Sequence, residues 1–184
     1  SEIGGMSVGL HRLAIGEEFR SSVSNLFDTR PGIAYCPGRD RFLVTWTRGT
    51  DYDFETGVSD VYGQFIAGNG RTLQGSNFVI ASADRNQFKP DVACDVVNDR
   101  FLVVWEDQRQ VATQDDIYGQ LIASDGTMMG GNFPIAGTSN IEGRPVVAAN
   151  SSDGSYLVVW ESVQDRSFRM FSQKLNANGK LQGS

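Results

Sequence analysis

The segment Pro90-Asp-Val-Ala93 leads, fifteen residues after its proline, to the tryptophan of Arg100-Phe-Leu-Val-Val-Trp105. The same arrangement occurs twice more, in Pro31-Gly-Ile-Ala34 with Arg41-Phe-Leu-Val-Thr-Trp46 and in Pro145-Val-Val-Ala148 with Ser155-Tyr-Leu-Val-Val-Trp160. Tyr62-Gly-Gln64, Tyr118-Gly-Gln120 and Phe171-Ser-Gln173 follow, and each aromatic precedes a glycine by eight residues: Gly70, Gly126 and Gly179. Phe19, Phe78 and Phe133 each stand twelve residues before the next proline. Three units of roughly 55 residues with fixed internal spacing are the signature of a repeat architecture.

Each unit reads as four short strands. Proline suits the first residue of a strand, and the Phe-Leu-Val-Val-Trp type of run is a continuous apolar stretch expected of a strand buried on both faces. A third strand passes through Tyr-Gly-Gln and a fourth through Asn-Phe-x-Ile. Asn69-Gly70, Asp125-Gly126 and Asn178-Gly179 mark hairpins between the third and fourth, with positive φ expected at both turn residues. The predicted class is therefore all-β. We expect a β-propeller-like array of three four-stranded units, with a three-fold β-trefoil or β-prism as the rival geometry. The units run over 19–78, 79–133 and 134–184, after an N-terminal segment 1–18.

Three blades are too few to close a ring. The C-terminal Leu181-Gln-Gly-Ser184 stops where earlier units continue, whereas Gly16-Glu-Glu-Phe19 matches Gly75-Ser-Asn-Phe78. The expectation is that the strand around Phe19 completes a last blade and that two chains exchange strands in a homodimer of six blades. Membership of a longer array is the alternative.

The recurring Pro-x-Val-Ala, Val-Val-Trp and Tyr-Gly-Gln elements resemble a tandem repeat of about 50 residues found in large secreted bacterial proteins, often near calcium-binding RTX-type repeats. The resemblance covers Phe19 to Ser184. It implies a propeller-like array in an extracellular or surface setting and carries no catalytic residues. The third unit departs from it, with Arg169 where Asp60 and Asp116 stand and Ser172 where Gly63 and Gly119 stand.

Of 184 residues, 40% are apolar and 21% charged, which is ordinary for a globular protein. The net charge of −6 argues against nucleic acid and anionic membrane surfaces as partners. No apolar run is long enough to span a bilayer, and no charged-then-apolar leader is present. His11 is the sole histidine and lies in the unmatched N-terminal segment, so a nucleophile–His–acid triad has no support. One histidine and two cysteines do not make a zinc site of ordinary spacing. Cys36 lies five residues after its proline and Cys94 four after its own, so equivalent strands point them to opposite faces. The two are expected to remain free thiols.

Trp46, Trp105 and Trp160 read as packing between sheets, with sugar stacking as the alternative. Gln64, Gln120 and Gln173 read as amides bonded to neighbouring backbone. Variation concentrates in the loop after each tryptophan. It places Asp51, Tyr52, Asp53, Asp60, Glu106, Asp107, Asp115, Asp116, Glu161 and Asp165 on one acidic face, where the second-to-third and fourth-to-first connections emerge. These residues are the ligand-binding candidates. No cofactor is required by any motif; calcium is a weak option through the carboxylates, although no Asp-x-Asp-x-Asp-Gly loop is present. With no catalytic constellation in view, the expected function is a non-catalytic binding module for a protein or glycan. The alternatives are a lectin, or a glycosidase-like enzyme using loop carboxylates.

Overall fold

A computed structural model describes residues 26–50, 58–110 and 115–183. The first sheet holds β1 (Phe27–Cys36), β2 (Arg41–Gly49), β3 (Ser59–Ala67) and β4 (Leu73–Ala81). The second holds β5 (Gln87–Asp95), β6 (Arg100–Asp107), β7 (Asp116–Ala123) and β8 (Met128–Ala136). The third holds β9 (Ile141–Ala149), β10 (Tyr156–Gln164), β11 (Ser167–Leu175) and the two-residue β12 (Leu181–Gln182). Every sheet is an antiparallel meander in chain order, and the first strands of successive sheets lie against one another. Three separate blades stacked face to face are propeller-like; a single trefoil or prism barrel is not what these strands build. The N-terminal residues expected to complete the last blade, Phe19 included, lie outside the described residues. So do His11 and the strand exchange itself.

The stacking explains the apolar runs. In β6, Phe101, Val103 and Trp105 face blade 1, in a cluster with Cys36, Leu43, Val61, Phe65 and Ile80. Leu102 and Val104 face blade 3 and meet Tyr156, Val158, Trp160 and Leu175. Alternate side chains point to opposite faces, so only a strand sandwiched between two sheets can be apolar throughout. All three tryptophans are buried.

One expectation is reversed. Cys36 and Cys94 form a disulfide, with Cα atoms 5.5 Å apart. Cys36 pairs with Arg41 in the ladder and Cys94 with Phe101, one step out of equivalence, so the two do face opposite ways within their blades. Opposite faces of adjacent stacked sheets are the two that look at each other. The offset that seemed to separate the thiols is what joins them.

The hairpins also differ from expectation. Gly70, Gly126 and Gly179 have φ of 68, 98 and 75°, whereas Asn69, Asp125 and Asn178 keep negative φ. Gly70 N donates to Ala67 O (2.8 Å), and Asn69 Oδ1 accepts from Arg71 N (2.9 Å). This is a type I turn followed by a left-handed glycine, which also matches the twist of the strands. Beyond it the ladder breaks between Gly63 and Phe65, and Gln64 Nε2 fills the gap by donating to Phe65 O, Gln74 O and Gly75 O. Gln120 does the same with Leu121 O, Met129 O and Gly130 O. Gln173 reaches Lys174 O and Gln182 O. A Cβ at Gly63 or Gly119 would come within 2.8 or 2.9 Å of Ile80 or Ile135 in the fourth strand. In blade 3 the short β12 stops before that position, and Ser172 stands there.

Candidate functional site

The two sets of connections emerge at the same end of the blades. Asn86, just before β5, accepts from Ser59 N through Oδ1 (3.0 Å), and its carbonyl accepts from Gln108 N (2.9 Å). Asp115 O accepts from Glu142 N (2.9 Å) in the same way one blade later.

At this end each first strand leaves its ladder. The register shifts between Thr29 and Gly32, between Phe88 and Asp91, and opposite Val159 and Glu161. Arg30, Lys89 and Arg144 sit in these breaks with φ of 56, 52 and 52°, each directly before a proline. A residue before proline is normally extended, and a non-glycine residue in the left-handed region costs about 1–3 kcal/mol. Two of the bulges are capped by the preceding blade. Lys89 N donates to Thr47 Oγ1 (2.9 Å) and Arg144 N donates to Glu106 Oε1 (2.5 Å). Thr47 and Glu106 are the residues that directly follow Trp46 and Trp105.

Glu106 is buried, and its second oxygen accepts from Lys89 Nζ at 2.6 Å. Burial pushes its carboxyl above the usual glutamate range; Lys89 and the Arg144 N–H oppose this, and the charge of Asp115 adds to it. Asp115 itself accepts from Gln108 Nε2 (2.8 Å). Arg144, mostly exposed, reaches on to Glu161 Oε2 (3.3 Å). The folded chain thus holds the Glu106 proton more tightly than the unfolded chain does. The stability this contributes is complete below the ordinary glutamate value and falls as pH rises through the folded one. Urea midpoints measured from about pH 4 to pH 8 are expected to decline less steeply for Glu106→Gln than for the parent chain. Asp60, also raised by burial and eased by Ser82, leaves a residual slope of the same sign in both.

The other candidates divide. Asp107 is consumed inside the fold, accepting from Trp105 Nε1 (2.7 Å), Arg109 N (2.9 Å) and the Arg109 guanidinium (2.6 and 2.8 Å), which lies over Tyr118. Asp116 is buried and Asp60 half-buried at matching positions of β7 and β3. Asp165 is exposed in the β10–β11 turn. Asp51, Tyr52 and Asp53 lie outside the described residues. Among the described residues no group of three or more His, Cys, Asp or Glu is arranged to hold a metal ion.

The expected acidic face is therefore a set of acid–base pairs. Arg48 grips Asp28 through Nε and Nη2 (2.7 and 2.8 Å) and stacks over Tyr62. Sequence reasoning missed Asp28, Arg48, Lys89, Arg109 and Arg144. A signal for three of the cations was present: a basic residue precedes every repeat proline, as Arg30, Lys89 and Arg144.

No family model matches the chain, and no curated protein matches it. Solved structures do. A Hadza microbial sialidase superposes with a TM-score of 0.64 at 12% identity, over 84% of this chain and 36% of its own. An N-acetylgalactosamine deacetylase from F. plautii, solved with blood group B trisaccharide, gives 0.60 at 9% identity over 88% and 52%. A thermostable family-43 glycoside hydrolase gives 0.55 at 11% over 85% and 58%. The fold is β-propeller-like. This chain spans roughly a third to three fifths of the length of these neighbours. At such identities the likeness establishes shared architecture. It also corrects two expectations, the non-catalytic module and the absence of enzyme activity, because the structures that share this architecture are enzymes acting on carbohydrate.

Proposed function

We propose that this chain serves a carbohydrate-active enzyme of the glycoside-hydrolase kind, with its chemistry at the loop end of blades 2 and 3. The observation that carries the reading is the Glu106–Asp115 pair. Asp115 lies close enough for its charge to raise the proton affinity of Glu106, and the half-buried Lys89 and the exposed Arg144 flank the pair. Glycoside hydrolysis needs one carboxyl that holds a proton and one that does not. In this reading Asp115, half-buried at this end, is the carboxyl that meets the substrate, and the buried Glu106, whose oxygens accept from Arg144 N and Lys89 Nζ, fixes the cations beside it. Lys89 and Arg144 hold substrate hydroxyl or carboxylate groups. The Cys36–Cys94 bridge supports an oxidising, extracytoplasmic setting, where polysaccharide substrates are met.

The test is release of aglycone from a panel of aryl glycosides, sialosides included, together with reducing-end release from plant and mucin polysaccharides. Hydrolysis of at least one substrate is expected, with Glu106→Gln and Asp115→Asn each lowering kcat/KM by roughly 10²–10⁴-fold while circular dichroism stays unchanged. Silence across the panel, or full activity in both variants, would overturn the proposal.

A further inference from the structure

We infer that the uncovered face of blade 3 is completed by blade 1 of a second copy of this chain, so that two chains close one ring by stacking blades. This goes beyond the enzymatic reading and does not depend on it.

The argument is a comparison of equivalent positions. Leu43, Leu102 and Leu157 occupy one register on the face that looks toward the following blade. The first two are 0% exposed and Leu157 is 48% exposed. Ile117 is likewise 0% exposed, whereas its counterpart Met170 is 68% exposed. Phe168 and Val146 extend the same open apolar surface. Blade 1 has the reverse defect. Val92 of blade 2, packed on the preceding blade, is 5% exposed, and its counterpart Ile33 is 62% exposed. Each terminal blade lacks what the other's open face offers.

The polar groups agree. Thr47 and Glu106 each cap the left-handed bulge of the next blade, at Lys89 and Arg144. Glu161 holds the third such position, and among the described residues no blade stands before it. The bulge that completes the series is Arg30 of blade 1, with the same left-handed φ. In a two-fold ring the blade 3–blade 1 seam forms twice, once in each direction, so neither apolar face remains open.

The experiment is light scattering coupled to size-exclusion chromatography on the full chain. A mass of twice 20.1 kDa is expected. Leu157→Asp/Met170→Asp on one face, and Ile33→Asp on the other, should each weaken the dimer by roughly a hundredfold or more. These side chains are exposed within one chain, so circular dichroism should be preserved. A monomeric parent chain would overturn the inference, and would point to another cover such as the chain's own first 25 residues. A dimer indifferent to both variants would also overturn it, because another surface, such as an exchanged N-terminal strand, would then be responsible.

Discussion

Alanine in place of Trp105 is expected to cost about 3–5 kcal/mol, the range for emptying a buried indole site. Trp105 is completely buried between blades 1 and 2 and packs in the cluster of Leu43, Phe65, Val103 and Tyr118. Its Nε1–H also donates to Asp107, a carboxylate with no exposure of its own. Stranding part of that group adds about 1–3 kcal/mol. For a chain of this length the melting temperature should fall by on the order of 10 °C or more. Trp46 lies on the side of blade 1 that faces away from blade 2, packed by Tyr62 and Arg48 rather than between two sheets, so its alanine variant should lose less. Thermal melts of Trp46→Ala and Trp105→Ala measure the difference. Equal losses would mean that blade 2 is not the sandwiched blade.

The second large effect belongs to the disulfide. Cys36 and Cys94 are separated by 58 positions, and closing a loop of that size restricts the unfolded chain by about 4 kcal/mol in the chain-entropy account. Cys36→Ser/Cys94→Ser should therefore shift the urea midpoint strongly downward. The parent chain in reducing agent should move the same way. Reduction that leaves the midpoint untouched would show that the thiols are not joined.

Much of the architecture was legible because its determinants are local and repeated. The repeat proline, which the structure places at a bulge inside the first strand rather than at its start, the Trp-terminated apolar run and the turn glycine each act within one hairpin, and their threefold recurrence at fixed spacing identified the blades. The errors arose between blades. The two cysteines were judged by alternation within a sheet, when the relevant geometry was that of two sheets pressed together. The turns were assigned positive φ at both residues, although a single left-handed glycine after a type I turn fits the strand twist. The carboxylates were legible as a cluster, but their neutralisation was not. Arg48 and Arg109 neighbour them in sequence without any spacing that marks them as partners, while Lys89 and Arg144 come from strands of different blades. Sequence also marked Asp107 as a site candidate. Its partners, Trp105 and Arg109, lie only two residues away on either side, and only the fold reveals that they use both its oxygens.

The meander order of the blades carries a consequence for biosynthesis. In every sheet, hydrogen-bonded neighbours are consecutive in the chain, and no described strand crosses from one sheet to another. Pairing partners therefore leave the ribosome one after the other, and blade 1 can zip up while blade 2 is still being made. Short-range pairing of this kind forms quickly, and folding unit by unit limits the time during which an apolar strand waits without its neighbour. The covalent bridge between the first two blades can form only after Cys94 emerges. Blade 3 arrives last and docks on a pair already laid down.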